Sequence, residues 1–187
     1  MGETESLANH FLIAMPRLAD PNFFHTVTYI CDHNDDGAMG IVINRPTTMH
    51  LGDVFQYMDV FASDPHITET TVYQGGPVQT ERGFVLHAPL GAWEATLGVT
   101  EEIGLTASQD ILTALAQGDG PEKSLVALGY AGWGAGQLES ELSQNAWLSG
   151  PAEPAILFDT PAEQRWEAAA ALLGVDLNLL SDETGHA

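Results

Sequence analysis

Positively charged residues are scarce in this chain of 187 residues. Five lysines and arginines stand against 26 aspartates and glutamates, which gives a formal net charge of −21. A nucleic-acid backbone or an anionic membrane surface is bound through several clustered lysine or arginine side chains, and this chain has too few to form such a cluster. We therefore expect neither direct DNA binding nor membrane association.

Cysteine and long apolar runs are also nearly absent. Cys31 is the only cysteine, so an internal disulfide is excluded. No apolar run approaches the roughly 18 residues of a membrane-spanning helix, and the first residues lack the basic and apolar regions of a secretion signal. The hydrophobic content of 44% is that of a globular protein rather than a disordered one. We predict one cytoplasmic domain over residues 1–187.

The usual motifs of nucleotide, metal and hydrolase sites are missing. The stretch LGYAGWGAGQLESEL, residues 128–142, is arranged like a phosphate-binding turn, but Gln137 stands where a dinucleotide fingerprint has its third glycine. Glu139 and Glu141 would repel a phosphate at the start of the following helix. No H-E-x-x-H, C-x-x-C, EF-hand or G-x-S-x-G pattern occurs. We predict no cofactor and no metal, and we interpret the glycines as a structural turn that holds Trp133 against a neighbouring surface.

The spacing of apolar residues predicts hairpins in the first half of the chain. β-Branched and aromatic residues indicate strands over residues 25–31 and 38–44, joined by a turn at the Asp-Gly pair 36–37. Apolar residues at helical spacing predict a helix over residues 51–58. Further strands are predicted over residues 11–15, 71–73, 83–87, 93–99 and 102–107.

Strands and helices alternate after residue 108. Ser108 is expected to cap a helix that ends near Gly118. A buried strand over residues 124–128 and a helix over residues 137–146 follow. Thr160, Pro161 and Glu163 have the pattern of a capping box for the last helix, which Gly174 closes; the short apolar segment 156–158 precedes it. Hairpins followed by helices favour an α+β fold, with helices packed on a mixed sheet.

Two groups of residues could carry catalytic chemistry. Cys31 and His33 lie two positions apart on a predicted strand and would share one face of it. Ser108, Asp110 and His87 are the residue types of a hydrolase triad. However, a cysteine in a strand is more often a small buried hydrophobe, and Ser108 has the position of a helix cap. A hydrolase or thiol-dependent enzyme that uses Cys31, His87 or Ser108 is the alternative function.

Arginines at the ends of predicted strands are notable in so acidic a chain. Arg45 follows a buried strand, and Arg82 follows a glycine-rich turn; each guanidinium could bind a ligand carboxylate or form an internal salt bridge. We predict a ligand- or partner-binding site formed by residues at these strand ends: Asn44, Arg45, Gly75, Gly76, Pro77, Arg82, His87 and Trp133.

Several segments resemble the AlgH/YqgE family of small bacterial cytoplasmic proteins. They are HFLIAMP, DPNFFHTVTYIC, GAMGIVINRP, YQGGPVQTERGFVLH, SQDIL, PEKSLVALGYAGWGAGQLESEL and NAWL, and the similarity covers residues 7 to about 180. The resemblance implies an α+β fold: a branched mixed sheet with a small barrel-like part, surrounded by helices. It assigns no catalytic residues, and we interpret the label of transcriptional regulator that some members carry as indirect. We expect a non-enzymatic binding or regulatory domain that acts through a protein or small-molecule partner.

Overall fold

The computed structural model describes residues 6–177, apart from residues 17, 19 and 22. These residues form one ten-stranded sheet with six α-helices packed on it. The strands are β1 (His10–Ala14), β2 (Val27–Asn34), β3 (Gly37–Val42), β4 (Pro46–His50), β5 (Thr71–Gln74), β6 (Val78–Ala88), β7 (Thr96–Gly98), β8 (Gly104–Thr106), β9 (Lys123–Gly134) and β10 (Trp147–Pro151). The helices are α1 (Leu51–Tyr57), α2 (Pro65–Thr68), α3 (Gln109–Ala116), α4 (Gln137–Ser143), α5 (Pro154–Phe158) and α6 (Arg165–Ala171).

Strand β9 is the branch point of the sheet. One of its edges pairs with β6, and the other pairs first with β5 and then, towards its C-terminal end, with β3. The main path runs β10-β1-β2-β3-β9-β6-β8-β7, and β4 joins through β5. The β5–β9 pairing is parallel and the other pairings are antiparallel. The mixed, branched sheet and the α+β class expected from the sequence are confirmed.

Three hydrophobic clusters hold the helices to the sheet. The first contains residues of β1, β2, β6 and β8 together with α5 and α6. The second joins α1 and α3 to Val72, Val85 and Val126 of the sheet. The third contains Leu138 of α4 with Trp133 and Trp147. The nearly continuous apolar run of β9 reflects its central place, because side chains on both of its faces are buried.

The front-half hairpin and most of the expected elements are present. Strands β2 and β3 pair up to Asn34 and Gly37, so the turn lies at residues 35–36. The predicted helix over residues 51–58 corresponds to α1. The sequence does not predict strands β4 and β10, because neither has a run of apolar residues and each depends on a partner distant along the chain.

Of the two capping predictions, the one for Thr160 is wrong and the one for Ser108 is confirmed in position. Thr160 does not cap the last helix: its hydroxyl donates to the Ala155 carbonyl, because the short helix α5 ends just before it. A 3-10 turn over residues 162–164 follows, and α6 begins at Arg165. Ser108 has the N-cap position of α3 but makes no side-chain capping bond. Its hydroxyl donates to a carboxylate oxygen of Asp110 at 2.5 Å and accepts from the Ala95 N–H at 3.0 Å.

Candidate functional site

Asn44 and Arg45 hold the segment before β2 to the end of β3. The Asn44 side chain accepts a hydrogen bond from the Val27 N–H at 2.9 Å and donates to the His25 carbonyl at 3.0 Å. Arg45 donates to the carbonyls of Pro21 and Phe24, at 2.8 and 3.1 Å. Burial lowers the pKa of Arg45 from its ordinary value. These bonds give both side chains a structural role, and ligand binding by them stays a prediction.

The glycine-rich turn before β6 packs closely against β9. A side chain at Gly75 would place its Cβ 2.4 Å from the Gly129 carbonyl oxygen, and one at Gly76 would lie 2.1 Å from the Tyr130 carbonyl carbon. Real Cβ atoms do not approach so near, so two backbones cross here at a distance that only glycine allows. Pro77 follows on the surface. Close packing therefore accounts for the two glycines.

His87 is fully buried and bonded through both ring nitrogens. Nδ1 lies 3.1 Å from the Pro89 carbonyl, which can only accept, so Nδ1 donates and Nε2 accepts from the Thr106 hydroxyl at 2.7 Å. Burial lowers the pKa of His87. Ser108 is instead bonded to Asp110. The triad considered from the sequence is therefore not assembled around this histidine.

Cys31 and His33 do not form the pair expected on one strand face. A β-bulge between Ile30 and Asp32 breaks the alternation of side chains in β2. Cys31 is 2% exposed in the first cluster, and burial raises the pKa of its thiol. His33 accepts from the Leu7 N–H, and its other nitrogen lies 3.2 Å from a carboxylate oxygen of Glu139. This environment does not favour a thiolate nucleophile.

Trp133 is buried against neighbouring side chains, as expected, but it lies in β9 and not in a turn. The prediction of a glycine turn around it is wrong, because Gly132 and Gly134 pair with β3 as part of the strand; of the three glycines, Gly136 lies at the turn before α4. Its ring packs against Phe23 and Trp147, with ring centroids 6.1 Å apart in each pair. One carboxylate oxygen of Glu141 accepts hydrogen bonds from the indole N–H groups of Trp133 and Trp147, each at 3.0 Å. Glu141, one of the two glutamates that make the stretch unsuitable for phosphate, thus joins β9, α4 and β10.

A third arginine, Arg165, has a structural role that the sequence does not indicate. Arg165 is 5% exposed, and its guanidinium lies 5.1 Å from the ring centroid of Tyr73. It donates to the carbonyl oxygens of Ile43 and Thr160. No spacing pattern indicates that Arg165 is buried, because most of its partners lie far away along the chain. The one sequence feature that could have suggested its burial is its position in an alanine-rich helix.

A groove of about 770 Å³ opens between α1, the start of α3 and the first half of β6. This volume is within the range of ligand pockets in proteins. Its apolar walls are side chains that also border the second cluster, and Tyr57 at its edge is 93% exposed. Its larger apolar lining residues are Met49, Val54, Tyr57, Met58, Leu112 and Leu128.

The groove owes its floor to a long bulge in β6. Val78 pairs with Tyr130 and Gly83 with Leu128, so three extra residues of β6 stand away from β9. Gly83 lies on the same face of the sheet as Val85, a residue of the second cluster two positions further along β6. A Cβ atom added at Gly83 would have no neighbouring atom within 4 Å. The floor is therefore open because residue 83 has no side chain.

The charged residues beside the groove are mainly acidic. Asp53 and Glu81 line it and are exposed. Arg82 also borders it, but its guanidinium lies 5.4 Å from the ring centroid of Phe84, which packs in the first cluster on the other face of the sheet. Asp110, in the first turn of α3, has its pKa lowered by the Ser108 hydroxyl and offsets the positive end of that helix. Of the predicted site residues, the groove includes Arg82.

In the part of the chain that the structure describes, no three histidine, cysteine or carboxylate side chains are grouped so that they could hold a metal ion. None of the helices within residues 6–177, residues 17, 19 and 22 aside, is long and apolar enough to cross a bilayer.

Comparison with known proteins shows the family. A UPF0301 protein from Thioalkalivibrio sulfidiphilus is 59% identical over 187 residues and covers both chains completely, and one from Nitrosococcus oceani is 60% identical over 179 residues, 96% of each chain. The solution structure of the AlgH protein from Pseudomonas aeruginosa is similar, with a TM-score of 0.80, 54% identity and 97% of each chain covered.

A more distant crystal structure, of a Corynebacterium diphtheriae protein, shares the fold alone. It has a TM-score of 0.74 at 18% identity and covers 97% of this chain and 94% of its own. The family model described as AlgH-like (DUF179) matches residues 11–178. The relatives carry the name UPF0301 protein, which indicates no specific enzymatic activity. The chain belongs to the AlgH-like family.

Proposed function

We propose that this protein is a binding domain and that the groove between α1, α3 and β6 is its ligand site. The observation that carries the proposal is an apolar groove of about 770 Å³ whose floor is left open by Gly83. A monomeric protein rarely exposes contiguous apolar side chains without a function for them. Such grooves are the common form of binding sites for small molecules and peptides.

The enzyme alternative has less support from the geometry. Cys31 is buried with a raised pKa, and His87 is bonded away from Ser108. A triad serine needs a histidine base within hydrogen-bonding reach, and the Ser108 hydroxyl is bonded to the Asp110 carboxylate instead. Binding of the regulatory kind, through a partner rather than through DNA, fits the net charge of −21 better. We further propose a cytoplasmic location.

The test uses an uncharged apolar dye, Nile red, whose fluorescence rises on binding to an apolar site. Gly83→Val fills the floor of the groove in a strand, where valine is favoured and no neighbour is within 4 Å of the new Cβ. Gly98→Val is the matched control, because Gly98 also lies in a strand, β7, and its nearest neighbours are 3.8 Å from an added Cβ.

We expect the wild-type protein and Gly98→Val to bind the dye and Gly83→Val to bind it at least about tenfold more weakly. Thermal unfolding of all three proteins checks that the fold is retained. Dye binding that is unchanged by Gly83→Val would place the apolar site elsewhere and refute the proposal.

A further inference from the structure

We infer that the natural occupant of the groove is a short amphipathic segment of another protein that carries lysine or arginine residues beside its apolar anchors. This inference rests on the proposed function and names the partner class. The groove combines apolar walls with a rim of carboxylates. An apolar helix face laid in a groove, flanked by cations, satisfies both features at once.

The apolar part of the site suits side chains rather than a polar metabolite. Val54, Met58 and Leu112 form its walls, and Leu128 lies on its floor opposite Gly83. Methionines line surfaces that adapt to different apolar anchors because the side chain is flexible and polarisable. Tyr57, nearly fully exposed, has both the apolar ring and the hydroxyl that are common at protein interfaces.

The charge around the site selects a cationic partner. Asp53 and Glu81 line the groove, and the guanidinium of Arg82 is directed to Phe84 on the opposite face. Each carboxylate is exposed, so a lysine or arginine of the partner can approach without a large desolvation cost. The net charge of −21 adds long-range attraction for a cationic segment.

The same charge disfavours the other occupants. A second copy of this chain brings another 26 acidic residues against five basic ones, and an anionic lipid surface repels the protein for the same reason. An acidic peptide or a phosphate-bearing ligand would approach the two carboxylates of the groove without a cation directed at it.

The experiment compares three synthetic peptides of about 16 residues, long enough to form helix on binding. One has leucine and phenylalanine at helical spacing on one face and lysine on the other. The second has glutamine in place of lysine. The third has the lysine peptide's composition in scrambled order, so that it has the charge but no apolar face. Binding is measured by fluorescence anisotropy at physiological ionic strength, together with circular dichroism of each protein.

Two pairs of neutralising substitutions separate local from general attraction. Asp53→Asn/Glu81→Gln removes the carboxylates of the groove. The new asparagine keeps a side-chain oxygen that can accept the hydrogen bond that the His50 N–H donates to Asp53. Glu101→Gln/Glu102→Gln removes the same charge from a separate depression that Asn9 and Ala152 also line.

We expect the lysine peptide to bind wild-type protein more tightly than the other two peptides. Asp53→Asn/Glu81→Gln should weaken binding of the lysine peptide by about fivefold, since each exposed ion pair raises an affinity only by about two- to threefold. The control pair should change it by less than about twofold, because distant charges are screened. Gly83→Val should abolish binding of the lysine peptide, and Gly98→Val should not.

Three results would overturn the inference. They are equal weakening by the two charge pairs, tight binding of the scrambled peptide, and glutamine-peptide binding as tight as that of the lysine peptide. If Gly83→Val still weakens Nile red binding in these cases, the groove remains a binding site and only the inference of a cationic partner is wrong. If Gly83→Val leaves Nile red binding unchanged, both the proposed function and this inference are refuted.

Discussion

Replacing Arg165 with methionine tests whether a buried guanidinium holds α6 to the sheet. The side chain is 5% exposed and donates to the backbone carbonyls of Ile43, just after β3, and Thr160, just before the last helical segment. Its guanidinium also lies 5.1 Å from the centroid of the Tyr73 ring. Arg165→Met keeps an unbranched apolar chain and removes the charge with all of its donors.

The expected loss follows from these contacts. A hydrogen bond from a charged group contributes about 1.5–3 kcal/mol, and two of them are lost. A desolvated cation–π contact adds about 2 kcal/mol. Removing the charge also removes the cost of burying it, which is several kcal/mol. We therefore expect Arg165→Met to lower the free energy of unfolding by about 3 kcal/mol and the melting temperature by roughly 6–12 °C.

Urea unfolding, followed by tryptophan fluorescence and by circular dichroism, measures the change. The matched control is Arg82→Met. Arg82 has a cation–π contact as well, with Phe84 at 5.4 Å, but it is exposed and makes one side-chain hydrogen bond, to Gln79 at 3.3 Å. We expect this control to cost less than about 1 kcal/mol. The slope of the urea dependence should stay the same in both variants, since the surface area exposed on unfolding does not change.

A loss below about 1 kcal/mol for Arg165→Met would refute the reasoning, because burial and two carbonyl bonds would then contribute nothing net. An equal loss in Arg82→Met would also refute it, since exposure would not matter. A smaller urea slope would show instead that α6 unfolds separately from the sheet.

The other two predictions concern titratable groups. Cys31 should react with a thiol reagent near neutral pH more slowly in the native protein than in urea, because it is 2% exposed and burial raises the pKa of its thiol; a faster native rate would favour the thiol-dependent alternative. His87 should make stability pH-dependent: burial lowers its pKa below 6.5, so the unfolded chain binds more protons, and stability falls as pH decreases from 6.5 towards the lower folded value. His87→Gln should reduce that slope in urea unfolding measured at about pH 7.5 and pH 5.5, and an unchanged slope would assign it to other groups.

The sequence is informative where structure depends on neighbours along the chain. The β2–β3 hairpin follows from β-branched residues on both sides of a short turn, and α1 follows from the spacing of Leu51, Val54, Phe55 and Met58. The pairing of strands that are distant in sequence is harder to predict. Strands β4 and β10 have weak local preference, and they form because β5 and β1 supply hydrogen-bonding partners.

The candidate site, too, is predictable from the sequence only in part. The sequence predicts Arg82 as a site residue, and it borders the groove, but the direction of its guanidinium depends on the sheet face that it shares with Phe84. Asn44, Gly75, Gly76 and His87 are predicted site residues as well. Each makes contacts with distant strands or loops that explain its presence structurally.

By itself, the sequence determined the acidic character of the protein, its α+β class and its resemblance to one family, because charge, local periodicity and motifs are properties of the chain. Only the tertiary structure decided where a binding site could form. The groove exists because three extra residues of β6 stand away from β9 and because Gly83 has no side chain between α1 and α3. Both depend on register and packing between segments far apart in sequence, which no local pattern specifies.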